Sequence, residues 1–231
     1  MKLAIMQPYF FPYIGYFQLI YAVDKFVFYD DVNYIKNGWI NRNRILINNQ
    51  PSYFTIQLKG ASPFKLINQI EFTDNRAKLK KTIQIAYRKA PFFNQVFPII
   101  EQCLDYETNS ISKLAIKTIE ETAKYMNVNT SFEISSYKYA DTKELERTER
   151  IITLCRINNA QTYINASGGT DLYSKEEFQN KGISLFFIKP QLTEYKQYNT
   201  DRFIPGLSVI DVMMFNSVKE IHKMLNNYDL I

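Results

Sequence analysis

The chain has 231 residues, a formal charge of +5 and 46% hydrophobic residues, which suits one α/β domain with a substantial core. The sequence has only seven glycines and contains neither a GxGxxG nor a GxxxxGK[ST] pattern, which excludes a glycine-rich phosphate loop. Two cysteines without a CxxC pair and a single histidine exclude the usual zinc-site spacings, so the sequence predicts no metal centre of that kind.

The positive charge has two interpretations. Basic residues are spread along the chain, which favours a general solvated surface over an anionic partner such as a nucleotide-linked substrate or a tRNA. The amino terminus lacks the features of a signal peptide, and no run of about 18 apolar residues occurs. We therefore expect no membrane span and a cytoplasmic location.

The first 30 residues predict a βαβ unit. Residues 3–6 form a short apolar run typical of a buried strand, and Pro8 ends it. Residues 14–23 have helical spacing after Pro12, and residues 26–29 are a second apolar run. The two strands are expected to be parallel neighbours, with the helix on one face of the sheet.

Two features are predicted next along the chain. Residues 45–47 and 53–58 predict a hairpin appended to the main sheet, with turn residues at 48–52. Three helical patterns between residues 74 and 127 predict a helical insertion or, equally, ordinary crossover helices.

From residue 132 onward, strands and helices alternate again. Strands are predicted at residues 132–135, 162–165 and 183–188, and helices at residues 144–157, 207–215 and after the capping boxes at Ser174 and Ser217. Alternation at both ends predicts a single α/β domain over residues 1–231, with a Rossmann-like parallel sheet, an appended hairpin and a helical insertion at residues 74–127.

Two long blocks now carry a resemblance. QPYFFPYIGYFQLI from Gln7 and DKFVFYDDVNYIKNGWINRNRI from Asp24 resemble the WbqC-like proteins, bacterial proteins found with O-antigen and other surface-polysaccharide genes. Residues 87–93, 155–173 and 205–216 match the same family, so the resemblance spans nearly the whole chain. It implies a transferase that moves glycine or a related acyl group onto an amino sugar in O-antigen lipopolysaccharide biosynthesis.

The partners follow from the same resemblance. It implies a nucleotide-linked amino sugar as acceptor and an aminoacyl-tRNA or another anionic donor, with no permanently bound cofactor. The alternative is a binding or assembly protein of the same pathway without chemistry of its own. The sequence identifies neither the acyl donor nor the sugar nor the oligomeric state.

Polar residues after the first two strands are the catalytic candidates. Asp30 and Asp31 follow a buried strand, where a carboxylate would act as general base on the attacking amine or bind a metal, or simply cap a turn. Gln7, Asn43 or the loop at Ser167 would stabilise a tetrahedral oxyanion.

A second group of residues is expected to bind substrate. Lys36 and Arg42 would hold a phosphate, and Trp39 lies between them as a stacking surface. Ser167 and Gly168 would offer backbone N–H groups, unless they form a plain turn.

Further binding residues come from the later blocks. By resemblance, Tyr173, Glu194 and Gln197 reach the same pocket, although Thr193 stands where relatives are expected to have histidine. Asp211 lies in an apolar segment and must be paired; we expect Arg42 or Arg44 as its partner, in a structural role ahead of a catalytic one. All these candidates are expected to line one cleft at the carboxyl ends of the strands.

Overall fold

The computed structural model describes residues 1–198, 200 and 202–231. Its strands are β1 (Lys2–Met6), β2 (Lys25–Phe28), β3 (Arg42–Ile47), β4 (Gln50–Thr55), β5 (Leu58–Lys59), β6 (Glu71–Phe72), β7 (Ser131–Ile134), β8 (Thr162–Ala166), β9 (Ser184–Pro190) and β10 (Tyr228–Leu230). Its helices are α1 (Ile14–Tyr21), α2 (Arg76–Tyr87), α3 (Phe93–Leu104), α4 (Ile111–Tyr125), α5 (Ser135–Lys138), α6 (Arg147–Ile157), α7 (Lys175–Gln179), α8 (Val209–Phe215) and α9 (Val218–Leu225).

The central sheet has six strands in the order β10-β9-β8-β1-β2-β7. Neighbouring strands from β9 to β7 pair in parallel, and β10 closes one edge antiparallel to β9. The expected parallel pairing of β1 with β2 is confirmed, and so is the Rossmann-like α/β class. Counting only the parallel strands along the chain, the order is 3-2-1-4-5, so the direction of winding reverses between β1 and β8.

Alternate residues of the sheet face two separate cores, as the two-residue period of a strand requires. Ala4 and Phe26 point into a large core shared with α1 and α9, whereas Leu3, Ile5 and Val27 face a smaller one shared with α6 and α7. Helices on both faces bury the sheet, which explains its nearly continuous apolar strands.

The appended hairpin is β3–β4, a two-stranded sheet of its own. Its turn is only two residues long, because Asn48 and Asn49 both adopt positive φ values, 51° and 62°, typical of a tight hairpin turn. The predicted turn over residues 48–52 was therefore too long: Pro51 and Ser52 belong to β4, which begins at Gln50.

Helices α2, α3 and α4 lie between β6 and β7 in the chain. Buried residues of all three, including Ile83, Ile100 and Ile119, belong to the same core as α1 and the hairpin. The description of residues 74–127 as an insertion into a single domain stays a prediction. Within the described ranges, no helix combines the length and apolar character needed to cross a bilayer.

Candidate active site

Asp30 and Asp31 lie at the carboxyl end of β2. The Tyr29 N–H donates to the Met6 carbonyl at 2.8 Å, which keeps the chain parallel to β1 for one residue beyond the strand. The chain then turns, and both aspartates are nearly buried, with exposed fractions of 3% and 5%. They line a polar cavity of about 480 Å³.

Asp30 is held by serines from two distant segments. Its Oδ1 accepts the Ser136 N–H at 3.1 Å, and its Oδ2 accepts hydroxyl protons from Ser136 at 2.9 Å and Ser112 at 3.2 Å. Ser136 is the second residue beyond β7, the parallel neighbour of β2, so the two strand ends meet at the same edge of the sheet. Ser112 comes from the first turn of α4.

Ser135 connects the two aspartates. Its Oγ accepts the Asp30 N–H at 3.2 Å and lies within hydrogen-bond distance of Asp30 Oδ1 and Asp31 Oδ1, so its single proton can be donated to either carboxylate. The carboxylates are therefore fixed relative to each other.

Burial raises the pKa of the Asp30 carboxyl above its ordinary value. The hydrogen bonds from Ser136 oppose this shift, and the neighbouring charge of Asp31 adds to it. A carboxylate with a raised pKa is a stronger proton acceptor than an ordinary one. Asp30 thus has the environment of a general base.

Asp31 has a different environment, because it forms a buried ion pair. Its Oδ2 lies 2.5 Å from a terminal nitrogen of Arg150. The Arg150 Nε donates to Thr142 Oγ1 at 3.1 Å, and the guanidinium lies over the Tyr29 ring, 4.7 Å from its centroid. The Arg150 cation neutralises the charge of Asp31, so Asp31 is suited to positioning rather than to proton transfer.

The rest of the cavity wall is polar and partly cationic. Lys113 and Lys143 line it, as does Ser110, whose hydroxyl caps the amino terminus of α4 by accepting the Lys113 N–H. Asn68 also lines it, and its buried Oδ1 has no hydrogen-bond partner within the described residues. A cavity with a buried carboxylate and two ammonium groups fits a ligand that carries both an amine and an anionic group.

A metal would find few ligands here. Among the described residues, no three His, Cys, Asp or Glu side chains come together as a metal site. Asp30 and Asp31 come nearest, and all four of their oxygens already accept hydrogen bonds from Ser112, Ser135, Ser136 or Arg150.

Gln7, Ser167 and Gly168 lie at the same edge of the sheet as Asp30, but beside β1 and β8 rather than β2 and β7. They follow β1 and β8, on either side of the point where the winding reverses. Ser167–Gly169 forms one tight turn, in which the Thr170 N–H donates to the Ser167 carbonyl at 3.3 Å. A Cβ at Gly169 would meet Asn165 Nδ2 at 2.5 Å, which favours glycine there. None of the three belongs to the described lining of the Asp30 cavity.

Tyr173 and Glu194 are further from the expected arrangement. The Tyr173 ring packs edge-on against Tyr163 and Phe178 and belongs to the smaller core. Glu194 is exposed. Their substrate-binding roles stay predictions.

Lys36, Trp39 and Arg42 lie on the loop and hairpin after β2. Lys36 is exposed, and the Trp39 ring stacks on Tyr53 with centroids 6.3 Å apart. The Arg42 guanidinium lies over the Tyr53 ring, 4.6 Å from its centroid. It also donates to the carbonyls of Asn37 and Gly38, which closes the loop before β3.

Asn43 holds the chain beyond β1. Its amide donates to the carbonyls of Phe10 at 3.3 Å and Phe11 at 2.7 Å, which supports the φ of +41° at Phe11, an unusual value for an aromatic residue. With both amide protons directed at backbone carbonyls, Asn43 has the contacts of a structural residue.

Asp211 has partners other than those predicted. It is fully buried and accepts from the hydroxyls of Tyr195 at 2.6 Å and Tyr87 at 2.8 Å, and from the Gln197 amide at 3.2 Å. The expected pairing with Arg42 or Arg44 was wrong, because Arg44 donates to the Gly206 carbonyl and Arg42 to its own loop.

Burial raises the pKa of the Asp211 carboxyl, against the lowering effect of those three hydrogen bonds. Gln197 additionally bonds the N–H and the carbonyl of Ile204, so this network fastens the segment before α8 to the body of the protein.

The comparisons with known proteins agree with the motifs. The family model described as the WbqC-like protein family matches residues 7–223. The chain belongs to the WbqC-like protein family. A protein of Mycobacterium tuberculosis that is itself described only as uncharacterized is 29% identical over 221 residues, covering 93% of each chain. No solved structure matches this WbqC-like chain.

The residues predicted for one cleft are thus distributed over several places in this WbqC-like fold. Only Asp30 and Asp31 of the predicted set line the cavity within the described residues. Sequence reasoning missed Ser112, Ser136 and Arg150. Ser136 had a usable signal, since it follows a strand of the parallel sheet. Arg150 had another, since it lies four residues before the buried Leu154 on one helix.

Proposed function

We propose that this WbqC-like protein is a transferase that moves a glycyl or related acyl group onto the amine of a nucleotide-linked amino sugar in surface-polysaccharide (O-antigen) biosynthesis. The family supports the pathway. The observation that carries the chemistry is Asp30, a buried carboxylate with a raised pKa that opens onto a cavity beside Lys113 and Lys143.

Asp30 acts as the general base in this proposal. An amino sugar reaches the site largely as an ammonium ion and must lose one proton to solvent before it can attack. As the neutral amine nitrogen forms a bond to the acyl carbon, Asp30 accepts a second proton from that nitrogen, and the ester C–O or thioester C–S bond of the donor breaks. The proton then passes from Asp30 to the leaving oxygen or sulfur. General base catalysis of this kind contributes about 10²–10⁴-fold.

The other cavity residues position Asp30 and neutralise the charges of the substrate. Asp31, tied to Arg150, fixes the serine that contacts Asp30. Lys113 and Lys143 bind the phosphates of the nucleotide, a role we assign to them in place of Lys36 and Arg42. The amino-terminal turn of α4, where Ser112 lies, stabilises the oxyanion in place of Gln7 and Asn43.

The proposal includes a cytoplasmic location, where nucleotide-linked sugars are made, and no permanently bound cofactor. The acyl donor is an activated ester or thioester; aminoacyl-tRNA and acyl-CoA are the two classes that supply one.

The test is a mass measurement. The purified protein is incubated with a 4-amino sugar nucleotide and, separately, glycyl-tRNA, acyl-CoA or glycine with ATP. We expect one donor to give a sugar nucleotide heavier by the acyl group. Asp30→Asn should slow the gain about 10²–10⁴-fold, and Lys113→Gln should raise KM for the sugar nucleotide, whereas Lys78→Gln on the exposed face of α2 should change neither the rate nor KM.

Two results would overturn the proposal. Tight binding of the sugar nucleotide with no mass gain from any donor would assign the protein to the non-catalytic binding class. A mass gain that Asp30→Asn forms at the rate of the parent would remove Asp30 as the base.

A further inference from the structure

Two loops beside the Asp30 cavity pair to form a tip. Residues 32–38 follow the aspartates, and residues 60–67 precede the segment that lines the cavity. An antiparallel bridge joins Asn33 to Leu66, and backbone hydrogen bonds of 2.9 Å lie on either side of it. The tip is therefore an ordered extension of the cavity wall.

The outer end of the tip is apolar and exposed. Ile35 lies two residues beyond Asn33 and Phe64 two residues before Leu66, so both belong to the outer end of the tip. Phe64 is 93% exposed and Ile35 is 54% exposed. Phe64 is the most exposed large apolar side chain among the described residues, and exposed apolar groups rimmed by polar ones mark interaction sites.

The charges of the tip have one sign. Lys36 and Lys65 directly follow Ile35 and Phe64, and both are exposed. Neither loop contains an aspartate or a glutamate. Within the described residues, no carboxylate forms an ion pair with either lysine.

We propose that this tip docks on the surface of an anionic lipid bilayer. Phe64 and Ile35 enter the boundary between headgroups and acyl chains, and Lys36 and Lys65 contact lipid phosphates. The charge pattern favours a lipid surface over other partners. Apolar side chains flanked only by lysines complement a bilayer, in which an apolar layer lies beneath negatively charged headgroups. The inference goes beyond the proposed function and does not depend on it.

Docking would bring the cavity close to the lipid surface. Leu66 and Asn68, which line the cavity, lie within four residues of Phe64. The cavity would then open near the headgroup region, where a lipid-linked donor or acceptor can reach it.

The test uses vesicle sedimentation with no sugar or donor present, so that its result is separate from any transferase assay. Vesicles of phosphatidylcholine with phosphatidylglycerol are compared with vesicles of phosphatidylcholine alone. We expect binding to the anionic vesicles, weaker binding to the neutral ones, and weakening by added salt. Phe64→Ser should reduce the partition constant about tenfold or more, as expected for one buried aromatic side chain.

Matched variants control for exposure and charge. Ile35→Ser should weaken binding, whereas Ile157→Ser, at a residue 53% exposed on α6, should not. Lys36→Gln with Lys65→Gln should weaken binding more than Lys78→Gln with Lys81→Gln, a pair of exposed lysines on α2 with the same change of net charge.

The proposal is overturned if neither vesicle binds the protein, or if Phe64→Ser binds as the parent does. A concentration-dependent dimer that Phe64→Ser abolishes, with no vesicle binding, would assign the tip to a second copy of the chain instead.

Discussion

The Arg150 guanidinium lies 2.5 Å from Oδ2 of Asp31, and both side chains are almost completely buried. Such a pair contributes little net stability when intact, because desolvation offsets the attraction of the charges. Its removal from one side leaves an uncompensated charge beside Asp30. The main effect of the pair is therefore on the electrostatics of the cavity, and its net contribution to the stability of the fold is small.

Removing Arg150 should destabilise the protein strongly. Arg150→Met leaves Asp31 buried without its cation, and we expect a loss of about 3–5 kcal/mol in the free energy of unfolding, measured by urea denaturation. The double variant Arg150→Met with Asp31→Leu should recover much of the loss. Arg156→Met, at an exposed arginine of the same helix, is the control and should cost little. Equal losses in the single and double variants would contradict the pairing.

Asp30 should define the acidic side of the pH–rate profile. The base must be deprotonated, and burial raises its pKa, so kcat/KM should fall with decreasing pH at a midpoint above the ordinary aspartate range. Asp30→Asn should lower kcat about 10²–10⁴-fold with a smaller change in KM.

The exposed Asp171 provides the control for Asp30, and Asp171→Asn should keep the parent profile. An acidic limb that survives unchanged in Asp30→Asn would mean that another group titrates.

The Asp211 network should show a pH-dependent cost of mutation. Tyr195→Phe removes the hydroxyl that donates to Asp211 at 2.6 Å, and we expect a loss of about 1–3 kcal/mol at neutral pH. The folded-state pKa of Asp211 is raised, so protonation stabilises the folded state, and that stabilisation is lost as pH rises through the folded pKa. Tyr195→Phe raises this pKa further.

The difference between parent and Tyr195→Phe should therefore shrink as pH falls through the folded pKa values. Tyr53→Phe, at an exposed tyrosine, should cost little at any pH. A cost of Tyr195→Phe that does not vary with pH would show that Asp211 does not titrate in this network.

Asn43 should behave as a structural residue. Asn43→Ala removes both hydrogen bonds that hold Phe10 and Phe11, and we expect a loss of about 1–3 kcal/mol in thermal or urea unfolding. Asn43→Asp keeps the shape but places a carboxylate against two carbonyls, so it should cost at least as much. The exposed Asn33→Ala is the control. A large loss of kcat in Asn43→Ala with unchanged stability would restore the catalytic prediction.

Local patterns predicted much of the fold. The β1–α1–β2 unit follows from short apolar runs and a helical repeat within 30 residues, and its parallel pairing was predicted correctly because so short a connection permits few alternatives. Most strands and helices after residue 131 followed from the same alternation, but α5 and the antiparallel edge strand β10 were not predicted. The hairpin turn was misjudged, because two asparagines with positive φ shorten it in a way that composition alone does not reveal.

The site was less predictable, because its contacts are long-range. The signal at Asp30 and Asp31 was local, since two aspartates end a buried strand. The partners of the two aspartates had no such local signal. The pairing of β2 with β7 brings Ser136 to Asp30, and no local sequence pattern encodes that pairing. The prediction that Asp211 needs hydrogen-bond partners was correct. Its carboxylate accepts hydrogen bonds from the hydroxyls of Tyr87 and Tyr195, whereas an arginine partner had been predicted.

The spacing of the cavity residues along the chain also bears on the order in which the protein forms. Ser112, Ser136 and Arg150 follow their aspartate partners by 82, 106 and 119 positions. On the ribosome, the βαβ unit is complete about 100 residues before those partners have emerged. Contacts of such separation form late, since closing long loops costs entropy before the contacts can stabilise them. A nascent chain that stops before β7 lacks Ser136 and Arg150, so the contacts that fix the two aspartates cannot form and the cavity is incomplete.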